Sequence, residues 1–198
     1  MGVLMSVESG HDWTRPPAGG YTAEDLDRLP DLPPHTELID GSLVFVSPQT
    51  NFHMLAVRLI EYGLLRTVPR EFEVIREMNV VLGEQQRPEP DVMVVRAEAM
   101  TGNRQTAYRA EDVILAVEVV SPESRDRDRE TKPLKYARAG VEHFWRVEEG
   151  GDGFPAVYVY ELDPATRCYA GAGVHHARLK LAVPFPVDID LTSLRRPV

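Results

Sequence analysis

The sequence predicts an α/β (α+β) fold, a mixed central sheet flanked by helices that closes on a β-rich C-terminal meander. Three observations predict it. The run Val113-Ile-Leu-Ala-Val-Glu-Val-Val120 has the apolar, β-branched composition of a strand covered on both faces. One helical segment precedes it, at about 50–66, and one follows it, ending at Gly140. Beyond residue 153, apolar runs at 156–161, 168–173 and 177–182 alternate with turn residues. The 198 residues suit one domain with a sizeable core.

Taken in order, residues 1–20 are rich in Gly and Pro and read as a flexible N-terminal arm, with a single domain over 21–198. Thr22 is placed to cap a short helix whose first turn carries Glu24, Asp25 and Asp27 and which ends near Pro30. Asp40-Gly41 lies between Glu37-Leu-Ile and Ser42-Leu-Val-Phe-Val46, a strong hairpin signal. From Thr50 to Arg66 the spacing becomes helical, with Leu55, Leu59 and Tyr62 on one side and Met54, Val57 and Leu65 flanking. Extended segments follow at 72–76, 78–82 and Asp91–Val95, then a polar loop over 97–110 holding at most one helical turn. After the central strand, residues 121–131 form a charged connection. Proline is tolerated only in a first turn, so Pro133 sets the next helix start at 129–132, and Gly140 is a natural C′ residue. Glu142–Val147 is a strand, Gly150, Gly151 and Gly153 a turn, and the tail is Pro-rich.

Composition narrows the function classes. No apolar stretch is long enough to cross a bilayer, the N-terminus lacks a signal-peptide layout, and a lone Cys168 has no disulfide partner within the chain; together these predict a cytoplasmic protein that does not enter membranes. A net charge of −9 argues against a protein that holds nucleic acid through its overall field. Any such partner must meet a local basic patch, or metal ions held by a carboxylate cluster. Residues 125–138 carry six basic and three acidic side chains, which fits a phosphate-facing patch or an ordinary alternating-charge surface equally well.

The chemistry centres on Glu118. A buried carboxylate costs several kcal/mol unless it is paired or binds a metal. Strand alternation puts Glu118 on a face with Ile114, Ala116 and Val120, so the position two residues on offers no functional group. A lysine can instead come from the next helix: Lys132 in its first turn, with Asp128 four residues earlier as an ion-pair partner, or Lys135. Asp91, Glu118 and Lys132 meeting at a sheet edge would form a site for metal-assisted phosphodiester hydrolysis. Taken singly, Asp91 is also an ordinary turn residue and Lys132 an ordinary helix lysine. His53 reads as a polar helix residue rather than a ligand, and His175-His176 has no companion at metal spacing.

Pro90-Asp91-Val, Val117-Glu118-Val-Val-Ser121-Pro122, Asp128-Arg129-x-x-Lys132, Tyr136-Ala-x-Ala-Gly140-Val141 and His143-Phe144-Trp145, in that order, resemble the PD-(D/E)XK nuclease superfamily. They resemble more closely a bacterial family described as putative restriction endonucleases, with the Glu37-Leu-Ile-Asp40-Gly41 hairpin and His53 also in place. The resemblance covers residues 20–185. It implies a restriction endonuclease-like fold and a Mg²⁺-dependent endonuclease acting on DNA, with Mn²⁺ able to substitute. It implies Asp91, Glu118 and the Val119 carbonyl as metal ligands, Lys132 as the residue that orients or helps deprotonate water, and Glu37 as a weaker candidate for a second metal. The departure is the valine at 120, which Lys132 compensates. A homodimer would suit cleavage of both strands of a duplex. The competing expectations are an inactive nucleic-acid- or protein-binding module that keeps the fold, and a hydrolase of smaller phosphate esters.

Overall fold

A computed structural model describes residues 15–194. The first fourteen residues of the expected arm, and the last four of the chain, lie outside the described residues. Residues 17–21 are held down: Gly20 N–H donates to Pro17 O at 2.8 Å, and Tyr21 N–H to Gly41 O at 2.8 Å. The expected helix after Thr22 is a single 3-10 turn, Asp25–Asp27. Its capping runs opposite to the expectation, because the Asp25 carboxylate accepts from both the N–H and the hydroxyl of Thr22, at 2.7 and 2.8 Å.

β1 (Glu37–Ile39) and β2 (Ser42–Val44) form the expected hairpin. Asp40 and Gly41 both have positive φ, 50° and 73°, the turn geometry whose twist matches two antiparallel strands. α1 (Asn51–Leu65) starts at Thr50, whose side chain accepts from the His53 N–H. Its buried face is His53, Ala56, Val57, Ile60 and Leu64. The expected face is rotated, since Tyr62 is exposed and Leu55 and Leu59 are half-buried. This helix is apolar on nearly every side, so periodicity alone cannot set its phase; the small Ala56 lets the sheet approach on that flank.

β3 (Phe72–Arg76), β4 (Asn79–Val81) and β5 (Val92–Arg96) follow. The loop expected over 97–110 contains one 3-10 turn, Ala97–Ala99, and a short β6 (Ala107–Arg109) paired parallel to β4, and a second 3-10 turn, Ala110–Asp112, closes it. β7 (Val113–Val119) is buried at all seven positions, as a central strand should be. A π-helical turn, Arg127–Thr131, leads into α2 (Lys132–Ala139). Gly140 ends α2 at φ 93°, and the N–H groups of Gly140 and Val141 both reach back to Tyr136 O. β8 (His143–Glu149), β9 (Pro155–Asp163) and β10 (Cys168–His175) come next. β11 (Arg178–Leu181) then pairs with β12 (Val187–Asp190), a strand that the Pro-rich tail conceals.

The main sheet has the order β10-β9-β8-β7-β5-β3, and within it only β7 and β8 run parallel. α2 makes the crossover between them. α1 and α2 cover opposite faces. Leu115, Val117 and Val119 share a core with α1 and with Val187 and Ile189 of β12. Ala116 shares the other core with Tyr136, Val141 and Phe144, where Phe144 stacks between Tyr136 and Tyr169 at 5.9 and 5.5 Å. Gly63 gives β12 its close approach to α1, because a Cβ there would overlap the Ile189 side chain. Among the described residues no helix is long and apolar enough to cross a membrane.

Candidate active site

Where β7 ends, elements remote in sequence bring their polar side chains to one cleft of about 560 Å³. Asp91, just before β5, spans the two strands: its Oδ2 accepts the Val119 N–H at 2.6 Å. Its Oδ1 lies 3.0 Å from His53 Nε2, delivered by the first turn of α1. Strand alternation puts Glu118 on the α2 side, and the first turn of α2 supplies the lysine. Lys132 Nζ stands 2.8 Å from Glu37 Oε1, 3.0 Å from Glu118 Oε2 and 3.5 Å from Asp128 Oδ1. The other Glu118 oxygen accepts from the Tyr136 hydroxyl at 2.7 Å. Glu37 Oε1 also accepts the Glu89 N–H at 2.8 Å, which fixes the hairpin to the approach of β5.

These groups are nearly dry. Glu118 and Asp128 are each 1 % exposed, Glu37 2 % and Lys132 5 %. Burial raises the Glu118 carboxyl well above its usual range; Lys132 pulls it back, while Asp128, Asp91 and Glu37 push it up. Burial alone would lower Lys132, but the four carboxylates around it win and hold the ammonium protonated. Asp128 is raised mainly by burial, against the pull of Lys132. Burial also disfavours charge on His53, and the hydrogen bond and charge of Asp91 more than offset it, so the imidazole titrates above its ordinary value.

The structure thus brings together Asp91, Glu118, Lys132, Glu37, His53 and Asp128 from the sequence reading, with Val119 lining the same cleft. Lys135 goes elsewhere: it pairs with Asp40 on the hairpin turn. The basic segment is likewise divided, with Arg129 on Glu148 and Arg127 in the cleft wall.

In the sequence Tyr136 stands out only as part of the Tyr136-Ala-x-Ala-Gly140 motif. It follows Lys132 by four residues on α2, so helical spacing already put both on one face. His35 and Glu89 carry no sequence signal of a site. His35 Nδ1 meets Glu89 Oε1 at 2.5 Å, and Asn79 donates to the other Glu89 oxygen at 3.1 Å. Hydrogen bonding to Glu89 raises the His35 pKa, whereas burial raises that of Glu89. His35 and Glu77 line the cleft with φ of 60° and 50°, unusual for residues other than glycine, and this backbone strain has no sequence signature.

The donor set fits a hard divalent cation. It is built of carboxylates, each oxygen of which has more than one acceptor site, and among the described residues neither Asp128 Oδ1, 3.5 Å from the Lys132 ammonium, nor His53 Nδ1 has a hydrogen-bond partner. In the conformation described, Lys132 stands among the carboxylates, and among the described residues no three His, Cys, Asp or Glu side chains are gathered at metal-ligating geometry.

A solved structure of similar fold supports the architecture. The crystal structure of a putative nuclease belonging to DUF820 from Anabaena variabilis is similar at TM-score 0.62 and 16 % identity, covering 87 % of this chain and 96 % of that one. NucC of E. coli MS115-1, in its apo form, aligns at TM-score 0.30 and 18 % identity over 57 % of this chain and 53 % of its own. No curated protein matches the sequence. The sheet, the placement of the cleft and a family match over residues 23–192 lead to one conclusion: the chain belongs to the Uma2 family, described as putative restriction endonucleases, and has a restriction endonuclease-like fold.

Proposed function

We propose that the protein is a divalent-metal-dependent endonuclease that hydrolyses DNA phosphodiester bonds. One observation carries the reading: a buried lysine from α2 meets Glu118 at the end of the central strand, 14 residues apart in sequence, beside Asp91. Membership of the Uma2 family supports nuclease chemistry. Asp91 and Glu118, with the Val119 carbonyl, would hold Mg²⁺ or Mn²⁺, and Glu37 and Asp128 are the further carboxylates within reach. When bound, such a cation lowers the pKa of a coordinated water and offsets charge on the phosphate.

The protein groups have distinct tasks. The carboxylates around Lys132 favour its charged form; its task is to donate hydrogen bonds, orienting the nucleophile and offsetting negative charge in the transition state. Tyr136 holds one Glu118 oxygen and leaves the other to Lys132. His53 and the Val119 N–H fix the Asp91 carboxylate between them. In the reaction a water oxygen bonds to phosphorus as one P–O ester bond breaks and the leaving oxygen gains a proton.

The test is incubation of the purified protein with plasmid and Mg²⁺ or Mn²⁺, beside Asp91→Ala and Glu118→Ala. Cleavage lost in both variants is expected, and equal cleavage by wild type and variants would sink the assignment. A second reading, a binding module that keeps the fold, is favoured by the closed ion-pair cluster around Lys132 and by the net charge of −9. Calorimetric binding of Mg²⁺ that disappears in Asp91→Ala would count against it.

A further inference from the structure

The cleft is an unusual place for a polyanion. Its lining carries seven carboxyl side chains against two permanent cations, Arg127 and Lys132. Lys132 is already shared among Glu37, Glu118 and Asp128. Neighbouring arginines are engaged as well: Arg129 with Glu148, and Arg146 with Glu148 and over the Tyr158 ring at 4.6 Å. Arg127 differs. Its Nε is buried against the cleft with no hydrogen-bond partner among the described residues, and the π-helical turn that begins with it holds its backbone in place through the bond from Lys132 N–H to Arg127 O.

The connection between β2 and α1, together with the start of α1, gives the same cleft a different surface. Val46 and Met54, 41 % and 50 % exposed, form an apolar lip with Pro48. An intact duplex would bring two charged backbones to an acidic surface and would keep its bases stacked away from such a lip. A single strand brings fewer charges and offers an apolar base face.

On the nuclease reading above, we propose that Arg127 is the phosphate-binding residue of the cleft and that the Val46–Met54 lip receives an unpaired base, so the substrate is a single-stranded stretch of polynucleotide. Arg127 positions the strand by pairing its guanidinium with non-bridging phosphate oxygens next to Asp91 and Glu118. The lip adds affinity without base identity.

Binding of fluorescent oligonucleotides, measured with Ca²⁺ in place of Mg²⁺ over a series of salt concentrations, tests this on the full chain. A single strand should bind about tenfold more tightly than the duplex of the same length. Arg127→Met should weaken the single strand about tenfold and flatten its salt slope by about 0.7, the value of one phosphate contact; Arg127→Lys should restore part of both. Val46→Ser with Met54→Gln should weaken the normal strand and leave an abasic strand unchanged. Equal affinity for strand and duplex overturns the substrate class, and unchanged affinity and slope in a folded Arg127→Met overturns the arginine. If Arg127→Met is unfolded by circular dichroism, Arg127→Gln decides by the same two readouts. Binding with these dependences but no cleavage under Mg²⁺ or Mn²⁺ would support the strand site and remove the nuclease reading, whereas no binding of any oligonucleotide removes both.

Discussion

The Tyr136 hydroxyl donates to Glu118 Oε1 at 2.7 Å from within a core where both side chains are fully buried. Tyr136→Phe therefore leaves a buried carboxylate oxygen without its donor. A loss of about 1–3 kcal/mol in unfolding free energy is expected by urea denaturation, the usual penalty of a buried polar group left unsatisfied. Stability equal to wild type would show that the bond contributes nothing net.

Lys132 balances a cluster of buried carboxylates, so its removal should do two opposite things. Without divalent cations, Lys132→Met should cost about 3–5 kcal/mol, as expected when one partner of a buried ion pair is lost. With Ca²⁺ added, the same variant should gain more in melting temperature than wild type, since a cation can take the vacated position among the acids. An identical Ca²⁺ response in both proteins would contradict this.

The pair of His53 and Asp91 has a defined pH signature. The folded pKa of His53 is raised above its unfolded value, so its stabilisation is fully present below about pH 6.5 and is lost as pH rises through the folded pKa. NMR titration should give a His53 midpoint above about 6.5 in wild type and a lower one in Asp91→Asn. Coincident midpoints would exclude Asp91 as the cause.

In most helices Gly→Ala stabilises by about 0.5–1 kcal/mol. At Gly63 the sign should reverse, because the added methyl overlaps the branched Ile189 side chain of β12. A net loss of about 1–3 kcal/mol is expected from overpacking. Combining it with Ile189→Ala should make the two changes non-additive in thermal denaturation.

The parts of this molecule legible in the sequence are those whose cause is local. Asp40-Gly41 announces its hairpin because two successive left-handed residues are needed there, and Glu118 announces its face because alternation is strict in a strand. Pro133 and Gly140 bracket α2 for equally local reasons. The rest depends on partners far along the chain. β6 is strand only because β4 lies beside it, and the phase of α1 is set by the sheet it meets. Lys132 and Lys135 are three residues apart on one helix, and distant partners decide between them: the hairpin turn draws Lys135 to Asp40, while Glu37 and Glu118 hold Lys132. The His35–Glu89 pair, 54 residues apart, follows from no pattern.

The π-helical turn before α2 has a consequence for how this cleft tolerates change. One surplus residue there acts as a phase adjuster between a connection that must carry Arg127 and Asp128 and a helix that must carry Lys132 and Tyr136. Deleting Glu130 would let the turn relax to ordinary α-helix and rotate everything upstream by about 100° relative to α2. The lysine and tyrosine would keep their address while the arginine and aspartate lost theirs. The chain thus has a joint at which one half of the cleft can be dialled against the other without disturbing the sheet beneath.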